Sequence, residues 1–287
     1  MIDNLPPAGT ILLGATPIGN HLDASPRLIE ALTHADLIAA EDTRRVLALC
    51  SRLDVTIHGR LLSFHEHNEA DRVTTLLDAA ESGERVLVVS DAGMPTVSDP
   101  GYRLVATAAQ RAIPVTVIPG PSAVLTALAL SGLATDRFSF EGFVPRKPGE
   151  RRARLEALAT EARTMVFFES AQRIGDTLVE MRRVFGDNRR AALCRELTKT
   201  YESVVRASLA ELQQVSANGV LGEISLVVEG ARQGDTVDPR HVDAVRAIAA
   251  DGVRLKDAAK HVAALTGRKA NDLYRQALAD SSATSDD

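Results

Sequence analysis

The sequence predicts an α/β protein with two sheet-containing domains and a small C-terminal helical unit. Three observations carry this. Short apolar, β-branched runs alternate with helix-length segments over roughly the first 120 residues, as in a parallel sheet built from βα units. Several of these runs end in loops rich in Gly, Pro, Ser and Asp, which is where open α/β sheets place ligands. After residue 138 strand-like runs recur near 140, 166, 193 and 226 with fewer helices between them, which suggests a mixed or antiparallel sheet. The expected division is 1–119, 120–232 and 233–280, with a disordered tail at 281–287. Pro119-Gly120-Pro121 is the expected hinge, because two prolines around a glycine make a stiff corner.

Thr10 to Ala15 reads as the first strand, running into Thr16-Pro17-Ile18-Gly19-Asn20. Ser25-Pro26 has the character of N-cap and N1 for a helix through Thr33. A second strand over 35–42 ends in Glu41-Asp42, and a helix follows to about Cys50. Leu61 to Phe64 leads into the polar cluster His65-Glu66-His67-Asn68-Glu69, then a helix to Ser82 closed by Gly83. Val86 to Val89 is uniformly apolar and predicts a strand buried on both faces. It breaks into Ser90-Asp91-Ala92-Gly93-Met94-Pro95 and a second polar turn, Ser98-Asp99-Pro100-Gly101, before a helix from Tyr102 to Arg111. Ile113 to Ile118 is expected as another buried strand, followed by Pro119 to Ala123 and an almost wholly apolar helix to Ser131-Gly132. That helix fits either the core or an interface.

In the second half, Phe138 to Val144 alternates as a strand does. Met165 to Phe168 is a strand ending in Glu169-Ser170, with a helix from Arg173 to Phe185. Ala191 to Leu197 and Gly222 to Gly230 are further strands. Beyond the polar segment 233–239 only helical periodicity remains, at 242–250, 255–265 and from 266 onward.

Composition narrows the classes. Of the 287 residues 45% are apolar, 25% charged and 3% aromatic, with no Trp, so the core rests on Leu, Val, Ile and Ala. The net charge of −5 offers no global attraction to nucleic acid, which leaves that task to a local patch. One such patch is Arg146, Lys147, Arg151, Arg152 and Arg154, which is either a solvated face or a grip on RNA phosphates. Cys50 and Cys194 fit no metal or redox spacing and read as free thiols in a reducing compartment. His65 and His67, two apart, diverge on a helix and lack a third ligand at a usual distance, so no metal is expected. The first turn lacks GxGxxG and GK[ST], which argues against dinucleotide and P-loop chemistry. With no signal-peptide pattern and no apolar run of membrane-spanning length, a cytoplasmic, membrane-free protein is expected.

TPIGN, DAGMPTVSDPG, PGPSA and FFESAQR, in that order, are similar to the loops of the tetrapyrrole methylase superfamily, two-domain enzymes that bind S-adenosylmethionine (SAM) between their α/β halves. Within it, GATPIGNHLD, AEDTRR, SFHEHNE, SDAGMPTVSDPG, IPGPSA, FEGFVPRK, FFES and CRELTKTYE resemble the bacterial branch that methylates a cytidine ribose 2′-hydroxyl in the decoding region of 16S rRNA. The likeness spans about residues 10 to 275. It implies SAM as methyl donor, 16S rRNA, within the 30S subunit, as partner, and a homodimer. Residue by residue it implies cofactor contacts at Pro17, Ala92, Gly93, Met94, Val97, Ser122, Ala123, Glu169 and Gly230. Asp91 and Asp99 are then expected to brace their loop.

The first loop reads Gly14-Ala15-Thr16-Pro17-Ile18-Gly19, where the family often has Gly-x-Gly-Pro-Gly, and that departure favours the RNA branch. A ribose hydroxyl is a poor nucleophile when neutral, so a base or an orienting group is expected. Glu41, Asp42, Glu66, Glu169, Glu196 and Lys199 lie at expected strand ends, and Lys199 or Glu169 is taken as the contact to the reacting ribose. A methyltransferase of the cobalamin or siroheme pathways and a non-catalytic RNA-binding assembly protein are the competing readings.

Overall fold

The computed structural model describes residues 5–217, 219–231, 239–267 and 270–279. The chain begins with β1 (Ile11–Gly14), α1 (Pro26–His34), β2 (Leu37–Ala40), α2 (Thr43–Arg52), β3 (Arg60–Ser63), α3 (Glu69–Glu81), β4 (Val86–Val89), α4 (Tyr102–Gln110), β5 (Val115–Ile118) and α5 (Ala123–Ser131). The five strands form one sheet in the order β3-β2-β4-β1-β5, every pairing parallel. Alternation divides its side chains between two cores. Ile11, Leu13, Val86 and Val88 pack on Leu76, Leu77 and Leu104 of α3 and α4. Leu12, Ile38, Leu87 and Val89 pack on Leu28, Leu32 and Val46 of α1 and α2. β4 is buried on both faces, as its four apolar residues require. β5 is not, since it lies at the sheet edge, where only Ile118 is fully buried and Val117 stays 41% exposed.

Local signals account for several boundaries. Ser25 accepts a hydrogen bond from the Leu28 amide at 3.1 Å and Pro26 begins α1, as N-cap and N1 chemistry requires. Asp42 caps α2 in the same way through the Arg44 amide. Asn68 behaves differently. Its side chain accepts from the His65 amide and donates to the Ser63 carbonyl, closing the turn before α3 rather than capping the helix.

The second half contains β6 (Phe138–Phe143), α6 (Pro148–Ala157), β7 (Thr164–Ser170), α7 (Ile174–Phe185), β8 (Arg190–Arg195), β9 (Ser203–Ser208), α8 (Leu209–Ser216) and β10 (Glu223–Val228). Its sheet runs β6-β7-β10-β8-β9, with β6 and β7 parallel and every other pair antiparallel. The sheet is therefore mixed. β9 is a strand the sequence pattern did not reveal, because Ser203, Arg206 and Ser208 interrupt its apolar residues at an edge that water reaches. One face of this sheet packs under α6, α7 and α8, with Met165, Phe167 and Leu226 among Leu155, Leu178 and Leu212. The other receives α5 and Ile18, which meet Val166, Ala192, Cys194 and Val227. α5 is thus a core helix. Val124, Ala127 and Leu128 are buried and only one flank, at Leu125, is exposed.

The C-terminal helices α9 (Pro239–Ala250), α10 (Leu255–Thr266) and α11 (Ala270–Ala279) enclose a small core of Val242, Val245, Ala258, Val262 and Leu273. The tail at 281–287 lies outside the described residues. No helix among the described residues is long and apolar enough to cross a membrane.

Candidate active site

In a parallel sheet the loops after neighbouring strands share the carboxyl edge, and β1 and β4 are neighbours. Their loops are joined by an isolated pair of hydrogen bonds, Thr16 N–H to the Gly93 carbonyl at 2.9 Å and Gly93 N–H to the Thr16 carbonyl at 3.1 Å. The Thr16 hydroxyl adds a bond to the Ser90 carbonyl. Gly93 holds φ at +86°, and Thr96 and Ser98 also take positive φ, so the β4 loop turns sharply twice to wall a cleft.

The second sheet presents its own edge opposite. There β7 ends as β10 begins, with Phe168 opposite Ser225, Glu169 opposite Ile224 and Ser170 opposite Glu223. Between the two edges lies a cavity of about 400 Å³. Ala92, Gly93, Met94, Val97, Ser98 and Asp99 come from the β4 loop, and Ser122, Ala123 and Val124 from the start of α5. Ile18, Phe143, Leu197, the β7 end from Phe168 to Ala171 and the β10 start from Gly222 to Ser225 complete it. Small side chains and apolar walls dominate. A cluster of cations is missing from the lining, so the site suits a molecule with apolar and amide-binding parts better than a phosphate.

A second cavity, of about 370 Å³, adjoins the first and shares Ile18, Ala92 and Glu223 with it. Thr16 to Gly19, His21, the α2 face carrying Arg45, Ala48, Leu49 and Arg52, Ser90, Asp91 and Lys199 line the rest. The loop after β8 closes this side. Glu196 and Thr198 there take positive φ, and the Asn20 amide donates to the Thr198 hydroxyl at 3.1 Å. Gly19 is pressed so closely on this loop that an added Cβ would lie 2.5 Å from Lys199 Cγ and 2.9 Å from the Leu197 carbonyl oxygen.

Charge is arranged unevenly. Burial pushes the Asp99 carboxyl up to about 7, with the neighbouring Glu41 and Asp91 carboxylates adding to the rise and a Ser90 hydrogen bond opposing it. Glu41 is also raised by burial, although the Asp91 amide donates to it at 3.2 Å. Asp91 is a brace, accepting from the Asp42 amide at 2.9 Å and meeting Arg45 Nε at 3.3 Å. Lys199 lies 2.9 Å from Glu196 and 3.0 Å from Glu223. Burial lowers its proton affinity, but the two carboxylates outweigh that and hold it above the usual lysine range.

Of the nine cofactor positions implied by the resemblance, Ala92, Gly93, Met94, Val97, Ser122, Ala123 and Glu169 line the first cavity. Pro17 lines the second. Gly230 lines neither. β10 runs antiparallel to β7, so the cleft receives its beginning, Gly222 to Ser225, while Gly230 lies beyond its far end. There an added Cβ would collide with the backbone of Ala162 and Arg163, which explains the glycine by packing. Glu169 reaches the cleft wall with a carboxylate that is already saturated. Ser170 N–H, the Arg173 guanidinium at 2.8 Å and the Thr177 hydroxyl at 2.7 Å all donate to it, and its side chain is fully buried. Lys199 faces the second cavity.

The basic stretch is largely neutralised. Arg154 pairs with Glu141 at 2.7 Å, Arg152 with Glu180 at 3.3 Å and Lys147 with Glu150 at 2.9 Å. Arg151 is buried beneath α7, 4.0 Å from Asp176. Arg146 alone of the five pairs with no acid among the described residues. His65 and His67 stack edge to face, and no group of three metal-ligating side chains occurs among the described residues. Cys50 and Cys194 are free and buried.

The sequence matches the family described as Tetrapyrrole (Corrin/Porphyrin) Methylases over residues 11–213, and an RsmI C-terminal HTH domain over 236–281. It is 52% identical over 272 residues to Ribosomal RNA small subunit methyltransferase I of Mycobacterium tuberculosis, covering 94% of this chain and 95% of that protein. The protein of that name from Escherichia coli O157:H7 is 42% identical over 275 residues, covering 94% and 95%. Among solved structures, uroporphyrin-III-C-methyltransferase from Thermus thermophilus, complexed with S-adenyl homocysteine, superposes with a TM-score of 0.54 at 19% identity, covering 76% of this chain and 96% of that one. Diphthine synthase superposes with a TM-score of 0.57 at 17% identity, covering 77% and 89%. These two likenesses concern the fold. The chain belongs to the tetrapyrrole methylases and, within them, to the ribosomal RNA small subunit methyltransferase I family.

Proposed function

We propose that this protein transfers a methyl group from SAM to the 2′-hydroxyl of a cytidine ribose in the decoding region of 16S rRNA. The observation that carries this is the pairing of two adjoining cavities of different character, one walled by small and apolar groups with no cation in its lining, the other carrying Arg45, Arg52 and Lys199 alongside Asp91 and Glu223. The first fits SAM. Gly93, Ala92, Ser122 and Ala123 allow close backbone approach, and Met94, Val97, Leu197 and Ile224 offer apolar cover. When bound there, SAM supplies a methyl group already activated on a sulfonium.

The protein then has to align the acceptor, exclude water and remove one proton. Asp99 is the group suited to that removal. It borders the first cavity, and a carboxyl held near 7 accepts a proton from a hydroxyl far more readily than an ordinary aspartate at neutral pH. Lys199 stays charged and orients the acceptor from the second cavity. Glu169 holds the β7 end in place through Arg173 and Thr177.

The same reading divides the chain at 119 and 232, makes the assembled 30S subunit the substrate, and places a cytoplasmic protein in a homodimer. Exposed apolar side chains at Val117 and Leu125 support the last of these.

Two measurements test the function. Calorimetry with SAM should show stoichiometric binding. Tritiated-methyl transfer to undermodified 30S subunits should place the label on a cytidine 2′-oxygen. Label appearing only in an added free tetrapyrrole overturns the reading, as does the absence of SAM binding.

A further inference from the structure

In the basic stretch 146 to 154, four of the five cations, all but Arg146, are paired off against Glu141, Glu150, Asp176 and Glu180. Cations with a free face occur elsewhere. α2 carries Arg45, Ala48, Leu49 and Arg52 at i, i+3, i+4 and i+7, one face of the helix, and that face lines the second cavity. At 1.5 Å per residue the two arginines are staggered by about 10.5 Å along the axis, which spreads positive charge along the groove. Arg52 is exposed and pairs with no acid among the described residues. Arg45 keeps most of its surface, with its side chain 62% exposed, while touching Asp91. His21 also lines this cavity and offers a ring N–H, and Lys199 lines it while paired with Glu223, which borders both cavities. The volume, about 370 Å³, lies within the range of about 300–1,000 Å³ usual for small-ligand sites.

We propose that the second cavity is the seat of the acceptor strand's phosphodiester backbone, gripped by Arg52 and Arg45 from α2 and by His21. This rests on the functional reading above and locates the acceptor within it. Three lining residues common to both cavities, Ile18, Ala92 and Glu223, make the junction through which a ribose seated in the second meets the first. A staggered pair of guanidinium groups suits a polyanion, since each can engage a different phosphate while Arg52 gives up no acid partner among the described residues. The position also explains why a protein of net charge −5 needs no basic exterior: the attraction is confined to the place where the reaction requires it.

The test is binding of undermodified 30S subunits, and of a fluorescein-labelled single-stranded RNA from the decoding region, as a function of salt. Arg52→Ala should weaken binding and reduce the slope of log affinity against log salt by roughly 0.7–0.9, the contribution of one phosphate contact. Arg52→Glu should weaken it further, Arg52→Lys should restore the slope, and SAM affinity by calorimetry should stay at the wild-type value in all three. Arg152→Glu, in the paired-off stretch, should leave the slope unchanged. If wild type binds RNA and the Arg52 variants bind it equally with an unchanged slope, the proposal is overturned while the functional reading stands. If wild type binds SAM but no RNA in either form, both fall.

Discussion

Thr16 and Gly93 exchange both of their backbone hydrogen bonds, at 2.9 and 3.1 Å, although they follow different strands. The pair fixes the first loop against the β4 loop and so ties a residue lining the second cavity, Thr16, to one lining the first, Gly93. Gly93 makes it at φ +86°, which a residue with a Cβ reaches only with strain, here with the Ile18 side chain 3.4 Å away. Gly93→Val should weaken SAM binding by roughly 5- to 150-fold, the equivalent of about 1–3 kcal/mol of backbone strain. Calorimetry reads the affinity, and a melting curve separates it from general unfolding.

The role proposed for Asp99 predicts two pH dependences. Single-turnover methylation of 30S subunits should rise with pH and level off above about 7, as the carboxyl loses its proton. Asp99→Asn should cut the rate by roughly 10²–10⁴-fold and flatten the profile. Stability runs the other way. The folded carboxyl titrates near 7 and an unfolded aspartate near its ordinary 3.8, so between these values only the folded state holds the proton. That cost to stability develops as pH rises from about 4 to about 7 and is constant above. Asp99→Asn should therefore melt higher than wild type at pH 8 and at the same temperature near pH 3.5. An unchanged rate in this variant removes Asp99 from the chemistry.

Lys199 stays protonated beside Glu196 and Glu223, so it cannot be the proton acceptor at neutral pH. Lys199→Met should slow single-turnover transfer while leaving the position of the pH limb set by Asp99 where it is. Movement of that limb with Lys199→Met would show the assignment to be wrong.

Glu169 supports structure. Glu169→Ala leaves the Arg173 guanidinium, 22% exposed, and Thr177 without their buried acceptor. A loss of about 2–4 kcal/mol in urea unfolding is expected, with Glu169→Gln losing less because it still accepts one bond. If Glu169→Gln keeps full stability but loses single-turnover activity, its role is chemical instead.

Arg151 is a poor probe of RNA binding despite its place in the basic stretch. Its side chain is 8% exposed beneath α7. Arg151→Glu should lower the melting temperature and SAM affinity together, whereas Arg146→Glu, at an exposed position with no acid partner among the described residues, should change neither. Differential scanning fluorimetry with and without SAM distinguishes the two.

Much of this was legible in the chain itself. The run Val86 to Val89 has no polar residue to point at water, so burial on both faces followed directly, and with it a central strand and a loop at its carboxyl end. Ser25-Pro26 announced α1 through capping chemistry that acts over three residues. The small residues Ala92, Gly93, Ser122 and Ala123 and the ordered series of loop motifs pointed to the cleft. All of these depend on local stereochemistry or on patterns within a few residues, which sequence carries explicitly.

What pairing decides was hidden. β10 runs against β7, and that direction brings Gly222 to Ser225 into the cleft and sends Gly230 to the far end. Strand direction is a property of the sheet, and the same apolar run serves either sense. The five cations at 146 to 154 looked like a patch because charge was counted along the chain, while Glu141, Asp176 and Glu180 come to Arg154, Arg151 and Arg152 from other elements. Asp99 showed only as a loop aspartate. Its proton affinity comes from burial beside Glu41 and Asp91, residues contributed by separate strand ends. Apart from β9, the sequence by itself determined where the strands, the principal helices and the small-residue loops lie, because those choices rest on near neighbours. The tertiary structure alone decided which charges are spent on one another and which face the cleft, because electrostatic partners are set by distance in space.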